Sequence, residues 1–485
     1  MLRTLFIILC WINIHTLFAQ KPIDSLGIKK DFKIFENILK NGHPSLYEYI
    51  NQDSLDYLFK TKKESLSNVS TDIDLYKKML DITDKVKDGH LLLFAPNTIK
   101  SEQYYFPLIL KIIDTELYTD TDDFDIPIGS KINSINKKKT SKIIESLKKY
   151  AATDGYNLTR KYRDIELKFG LFYAYEYGIA KRFSIQYTEP DGTEKSIDLD
   201  AESFVKVKLR NVKRNSYFAS YHNQTNRFDF FDKHINTKDP FVYYKEELST
   251  AILVVNTFGI DVRVFKSNLV KIFKELKAKK IKHLIVDIRN NDGGFRPNAV
   301  HLFSFVTKRP FKQMVSEYVI SLSVQEKEYA TRTFLNEKDF LTDRFKNHPV
   351  YDGWKLTFDD LESIMVPDHY NRFKGKVYVL TSGTTFSAAS TFALNAKNDN
   401  DITLIGEETG GGYHLLNGQF PVYYEFPNSK IIMVMSMVKV QNYVKDKTVP
   451  IGSGVPPDKY IDLSVQQLID GKDPLLDYIF RLIKG

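Results

Sequence analysis

Ser387 stands where a strand-like run, Lys376-Val377-Tyr378-Val379-Leu380, passes through a short polar loop into a small-residue helix opening with Ala388-Ala389. A serine at a helix start ordinarily caps it, its oxygen accepting a free backbone N–H. The same position suits a nucleophile, because helix-start amides and the helix dipole favour a negative oxygen beside the hydroxyl. Two other strand ends carry glycines. One runs Leu284 to Ile288 into Arg289-Asn290-Asn291-Asp292-Gly293-Gly294, and the other runs Ile405 into Gly406-Glu407-Glu408-Thr409-Gly410-Gly411-Gly412. Glycine permits positive φ and close approach of backbone amides, and a pair of amides can hold a developing oxyanion. Turns that follow strands are where open α/β sheets place their sites.

A serine hydroxyl needs a neighbour to take its proton. His90, in Asp88-Gly89-His90, is one candidate and His43, in Asn41-Gly42-His43-Pro44, is another. The proline after His43 favours a structural turn there. The sequence contains no HExxH helix, Walker loop, glycine-rich dinucleotide fingerprint or GxSxG elbow. Metal, nucleotide and nicotinamide chemistry therefore have no motif to stand on, and no cofactor is expected.

Stepping outward from these residues, the chain reads as a multi-domain α/β protein. Residues 20–97 are expected to be helical and to carry Asp88-Gly89-His90. Leu75, Met79, Ile82 and Val86 mark one helix face, Thr71 and Asp72 offer N-cap oxygens, and Gly89 is expected to close the helix. Residues 98–204 are β-rich. Phe106 to Ile113 and Leu117-Tyr118 are strand-like around a turn at Asp114-Thr115-Glu116, a helix is expected from Ser141 to Tyr150, and a hairpin turns at Pro190-Asp191-Gly192. Residues 205–240 form a connection. From 241 to 485 strands alternate with helices: Ala251 to Val255, His283 to Ile288, Val377 to Leu380, Ile402 to Ile405 and Lys430 to Met435 are strands, and Phe265, Leu269, Ile272 and Leu276 mark a helix face. An irregular insertion at about 308–372 interrupts this pattern.

Four ordered motifs resemble those of the S41, or C-terminal processing, serine peptidases. They are Asp287 to Gly294, the block from Phe373 through Ser387-Ala388-Ala389, Gly406 to Gly412, and the tail Gly454-Val455-Pro456-Pro457-Asp458. Order and spacing agree over most of residues 241 to 465. The resemblance implies an α/β, ClpP/crotonase-like peptidase core and a PDZ-like domain at 98–204, where a loop, a strand ending in Ile135-Asn136 and a helix follow in family order. It implies Ser387 as nucleophile and the amides near Gly293, Gly294 and Ala388 as oxyanion hole. One branch of the family draws its base from a lysine in the third turn. That position is Gly412 here, and Glu407 to Tyr413 contains no lysine. The other, tricorn-core-like branch takes a histidine from an Asp-x-His motif, which Asp88-Gly89-His90 matches. Imidazole suits general-base work near neutral pH. That branch's glutamate has no counterpart before the tail, and Asp446, Glu407 and Glu408 remain open as the third member. A Ser-His dyad is the alternative.

The implied function is hydrolysis of peptide bonds in a peptide or protein substrate. The rival is a catalytically incomplete binding protein on the same scaffold.

At 485 residues, 42% hydrophobic and 27% charged, the chain has the balance of a folded protein with more than one core. Its net charge of +8 is scattered, with no basic arm interleaved with aromatics, so nucleic acid is not an expected partner. Arg3 precedes an apolar run from Leu5 to Phe18, then Ala19 and a polar segment. This reads as a signal peptide over 1–19, cleaved after Ala19, with a secreted or periplasmic product and no remaining membrane span. The single cysteine, Cys10, lies within it, so no disulfide or thiolate site is expected in the mature chain.

Overall fold

The computed structural model of the chain describes residues 22–96, 104–121, 123–207, 210, 238–333, 340–358 and 364–485. The expected signal peptide, with Cys10, and most of the 205–240 connection lie outside these residues.

Helices α1 (Ser25–Gly42), α2 (Gln52–Glu64) and α3 (Asp72–Val86) come first. Their apolar residues recur at helical spacing and bury one face each, as with Phe32, Phe35 and Leu39 of α1 and Leu75, Met79 and Ile82 of α3. The rings of Phe32, Phe35 and Phe59 pack at 6.0 to 6.2 Å between centroids. Each such pair adds about 0.5–1.5 kcal/mol beyond the burial itself. Thr71 caps α3 by accepting the Asp74 N–H. The helix closes at Lys87, with φ of 58°, rather than at Gly89. Gly89 is glycine for another reason, given below. Strand β1 (Leu92–Phe94) follows directly.

Next comes a small sheet with an antiparallel pair beside it. Strands β2 (Tyr104–Tyr105) and β9 (Glu202–Ser203) form the pair. The sheet has the order β3 (Leu110–Ile113), β4 (Glu116–Thr119), β5 (Lys131–Ile135), β7 (Arg182–Thr188), β8 (Glu194–Asp200), and β6 (Lys138–Lys139) also pairs with β5. Strand β3 begins at Leu110, not at Phe106, and turns through Asp114 and Thr115 at positive φ. Helix α4 (Thr140–Leu147) lies near the expected span. Helix α5 (Thr159–Tyr177) was not expected.

The remaining chain builds two sheets. The first has the order β10 (Phe241–Lys245), β11 (Thr250–Val254), β12 (His283–Asp287), β17 (Lys376–Thr381), β18 (Ile402–Gly406), β21 (Lys459–Tyr460). From β11 to β21 the pairs are parallel. Helices α6 (Val262–Ala278), α7 (Arg296–Val306) and α9 (Ala388–Lys397) cover one face, on Ala251, Leu253, Leu284 and Val286. Helix α11 (Pro474–Lys484) covers the other, on Ile252, Val254 and Ile285. Both faces are therefore dry, which explains the continuous apolar runs of these strands.

The second sheet has the order β14 (Ala330–Thr333), β19 (Leu415–Glu425), β20 (Ile432–Asn442), β13 (Met314–Val319), β16 (Gly353–Thr357), β15 (Pro349–Val350), with β1 also on β20. Two sequence expectations change here. The region at 308–372 is not irregular, since it supplies β13 to β16 and the short helix α8 (Phe340–Phe345). Of the segment Lys430 to Met435, Ile432 onward belongs to β20, an antiparallel strand of this second sheet, not to the parallel one. A short helix, α10 (Val465–Asp470), precedes α11.

Because β12, β17 and β18 are adjacent and parallel, their three following turns meet at one sheet edge. A buried ionic cluster pins the first turn. Arg289 bridges Asp287 at 2.7 Å and Asp473 at 2.8 Å. Removing Arg289 alone would take the counter-charge from two buried carboxylates, at a cost of about 3–5 kcal/mol.

Candidate active site

Ser387 occupies the N-cap position of α9 but does not cap it, as its side chain bonds no helix amide. Its φ of 53° and ψ of −124° lie where an L-residue is strained. The surrounding loop holds it there. Phe386 N–H donates to Asn291 O, Ser382 Oγ to Arg289 O, and Thr385 Oγ1 to Ile288 O. The second turn is thus laced to the first. The Ser387 hydroxyl instead meets His90 Nε2, at 3.1 Å.

The three expected oxyanion donors separate into two groups. Gly293 N–H is already committed to the Asn291 side chain at 2.9 Å, so it is not available to a substrate. Its absent side chain still matters, because a Cβ there would fall 2.7 Å from Ser387 Cβ and 3.1 Å from Ala388 N. The amides of Gly294 and Ala388 make no hydrogen bond among the described residues, which leaves two donors beside the hydroxyl.

His90 arrives from a part of the chain 297 positions away in sequence. Lys87 ends α3, and the chain turns through Asp88 and Gly89 into β1, which is tied to β20 through Leu92 opposite Val434. A Cβ on Gly89 would strike the Phe386 ring at 2.6 Å and Asp154 Oδ1 at 3.0 Å. Glycine here allows the imidazole to stack on Phe386, centroids 4.5 Å apart. The Arg160 guanidinium lies over the same Phe386 ring, at 3.8 Å.

The carboxylates beside His90 are not the expected ones. Asp446 is exposed and bonds its own neighbour Thr448. Glu407 accepts from Gly383 N–H and pairs with Arg163, and Glu408 accepts from Gly454 N–H. None of the three bonds His90. Asp88 and Asp154, both buried, each bring a carboxylate oxygen within 4.8 Å of a His90 ring nitrogen. Asp88 accepts the His90 backbone N–H at 2.8 Å on one oxygen, and His43 and Asn417, both at 2.9 Å, on the other. Asp154 accepts Gly89 N–H at 2.8 Å and Gly412 N–H at 3.0 Å. It therefore ties the histidine loop to the third turn. Asp88 was quoted in the histidine motif without a role, and nothing in the sequence around Asp154 singled it out.

His43, the rejected competitor for the base, proves to be part of this network. Ser45 N–H donates to its Nδ1, so the proton sits on Nε2 and is donated to Asp88. The same logic applies to His90. If Nε2 is to accept from Ser387, the proton must be on Nδ1, which is buried and makes no hydrogen bond in this state. Burial lowers the His90 pKa to about 4, opposed by the charge of Asp88 and assisted by Arg160. At neutral pH the ring is a free base. Burial also acts on Asp88, but its hydrogen bonds, led by that from His43, outweigh it and hold that carboxyl below its usual range. Asp154 is pushed up to about 7 by burial and by Asp88.

Asp88, His90 and Asp154 have the spacing of a cation site. Each carboxylate oxygen already faces an N–H donor, which a cation would meet as like charge. The set is chemically a hydrogen-bond network. Nor can the third turn host a lysine. A Cβ on Gly412 would fall 2.2 Å from Leu415 O.

A cavity of about 780 Å³ adjoins the site, lined by Asp88, Leu91 to Ala95, Arg160 and Asp292 among others.

Residues 249–461 match the sequence profile of peptidase family S41. Over that stretch the chain is similar to the S41 peptidases. The match spans all three sheet-edge turns and Ser387, but neither His90 nor Asp154. No curated protein matches the chain by sequence. Among solved structures, mature CPAF is similar with a TM-score of 0.65 at 14% identity, over 95% of this chain and 97% of that one. CPAF complexed with lactacystin is similar with a TM-score of 0.63 at 13% identity, over 95% of this chain and 98% of that one. These likenesses establish a shared mixed α/β fold beyond the S41 match itself. No helix among the described residues is long and apolar enough to cross a membrane.

Proposed function

We propose that the chain is a secreted or periplasmic serine endopeptidase in which His90, not a lysine, activates Ser387. The observation that carries this reading is the 3.1 Å contact between His90 Nε2 and a Ser387 hydroxyl that caps no helix. In the first step Ser387 Oγ bonds to the substrate carbonyl carbon and its proton passes to His90 Nε2. The oxyanion is held by the amides of Gly294 and Ala388. His90 then gives the proton to the departing amine, leaving an acyl-enzyme that water hydrolyses by the reverse proton path. Asp88 supplies the negative charge that favours the imidazolium, and Asp154 holds the loop that presents it.

Strand β1 begins two residues after His90 and lines the large cavity. An extended substrate adding to β1 would run toward Ser387 with its backbone hydrogen-bonded. The β3 to β8 unit, read as PDZ-like, would present such a chain. The rival binding-protein reading predicted a wide gap between His90 and Ser387, and the 3.1 Å separation favours the enzyme.

The test is turnover of a peptide library by wild type and Ser387→Ala, with a fluorophosphonate probe mapped by mass spectrometry. Loss of turnover by a factor of about 10⁴ or more in the variant is expected. Full activity in Ser387→Ala contradicts the proposal.

A further inference from the structure

A second, smaller cavity of about 50 Å³ opens directly beside the nucleophile, and Gly294, Ser387 and Ala388 are part of its wall. Arg296, Gln313, Met314 and Leu416 also line it, and no aspartate or glutamate does. Arg296 is half-buried and makes no ion pair among the described residues, and its Nε donates to Gln313 Oε1 at 2.7 Å. That bond fixes the Gln313 amide with its nitrogen turned away from Arg296. Gln313 is 1% exposed, and its Nε2 has no hydrogen-bond partner among the described residues. A buried donor left unpaired is costly, as is a partly buried cation without a counter-ion.

Glu317 acts on Arg296 through its charge but makes no ion pair with it among the described residues. Glu317 is fully buried, and its two oxygens are taken by Arg344 and by Gln419 Nε2. Burial lowers the Arg296 pKa, Glu317 opposes this, and Arg344 adds to it. Arg296 is also the first residue of α7, where a cation opposes the helix dipole. The arrangement leaves a buried amide donor unpaired and a cation without an ion pair among the described residues, and a ligand is its natural complement. A cavity of this volume holds a few heavy atoms, since one water needs about 10–15 Å³.

We infer that this cavity is a carboxylate subsite, in which Arg296 and Gln313 receive a substrate carboxylate next to the scissile bond. The inference rests on the peptidase reading for its position, but not for its binding chemistry. The carboxylate can come from an aspartate or glutamate side chain or from a free peptide C-terminus. An acidic group would meet two donors, whereas its amide would set an NH₂ or a neutral oxygen against a cation. Charge-assisted pairing of this kind predicts about 10- to 100-fold selectivity.

The test measures affinity on the full-length Ser387→Ala chain, so that binding is read without turnover. Peptides carrying glutamate or glutamine at each position, with free or amidated C-termini, are compared by calorimetry. A 10- to 100-fold preference for glutamate assigns the side-chain source, and the same preference for the free terminus assigns the other. In either case Arg296→Met should bring the ratio near one and Arg296→Lys should restore part of it. Equal affinity for acid and amide in both arms overturns the inference, as does a preference that survives Arg296→Met. Peptidase failure shows separately, as absent fluorophosphonate labelling of the wild-type chain.

Discussion

The two halves of the candidate site are built differently. The nucleophile half, with Ser387, Gly294 and Ala388, sits on adjacent turns of one parallel sheet, all inside the S41 match. Its parts are laced together by bonds such as Phe386 N–H to Asn291 O. The base half comes from outside that match. His90 leaves a helix–strand turn near the N-terminus, and Asp154 reaches it from the β-rich unit, bonding Gly89 65 positions away. In the proposed reading the sheet edge fixes where the serine lies, while the base comes from what packs against that edge. Gly412 shows the reciprocal side. The turn that could carry a base from within the core is closed by Leu415 O.

This contrast can be broken at several points. The largest effect is expected from His90→Ala, with kcat/KM falling about 10²–10⁴-fold at unchanged thermal midpoint. Steady-state kinetics with a denaturation scan checks it, and activity near wild type would detach the base half from the chemistry. The wild-type acid limb should follow His90. A ring of pKa about 4 is protonated, and useless as a base, only below that value. Activity should therefore persist at pH 5 and fall through about 4, which a pH–rate profile reads directly. Asp88→Asn should cost about 10²-fold and move the acid limb lower, because the lost charge is the one that raises the His90 pKa. A limb that moves up, or stays, assigns Asp88 a structural role only.

Asp154→Asn should cost about tenfold. Asp154 is neutral below about 7 and charged above it, so the wild-type profile should rise a second time near pH 7 and the variant should not. The smallest effect on chemistry is expected from Gly412→Lys in the His90→Ala background. It should restore no activity and should destabilise the fold by about 1–3 kcal/mol through the clash at Leu415 O, measured by urea unfolding. Rescue of turnover would mean that the core can house its own base.

The nucleophile half was legible in the sequence because its signals are local: apolar strands ending in glycines, and a serine at a helix start. The capping reading of Ser387 fails on a feature no sequence displays, namely the direction of its hydroxyl. His90 was legible through a three-residue motif. Asp154, which holds its loop, was not, because it lies in a loop without periodicity and acts through a long-range contact. The expected carboxylates, Asp446, Glu407 and Glu408, were chosen by closeness in sequence to the third turn and tail, and each is used locally. Helix α5 escaped notice for a related reason. Its nineteen residues carry charges around most of the surface and a non-helical backbone at Lys168, so no clean helical stripe appears. Strands β13 and β14 were hidden because their partners, β20 and β19, lie far along the chain.

The central claim is that a histidine from outside the S41 match activates the serine within it. Fluorophosphonate labelling of wild type and His90→Ala, with the modified peptide sequenced, tests this most directly. The account predicts labelling at Ser387 in wild type and a rate lower by about 10² or more in His90→Ala. Equal labelling of Ser387 in both chains, or labelling confined to another residue, would contradict it.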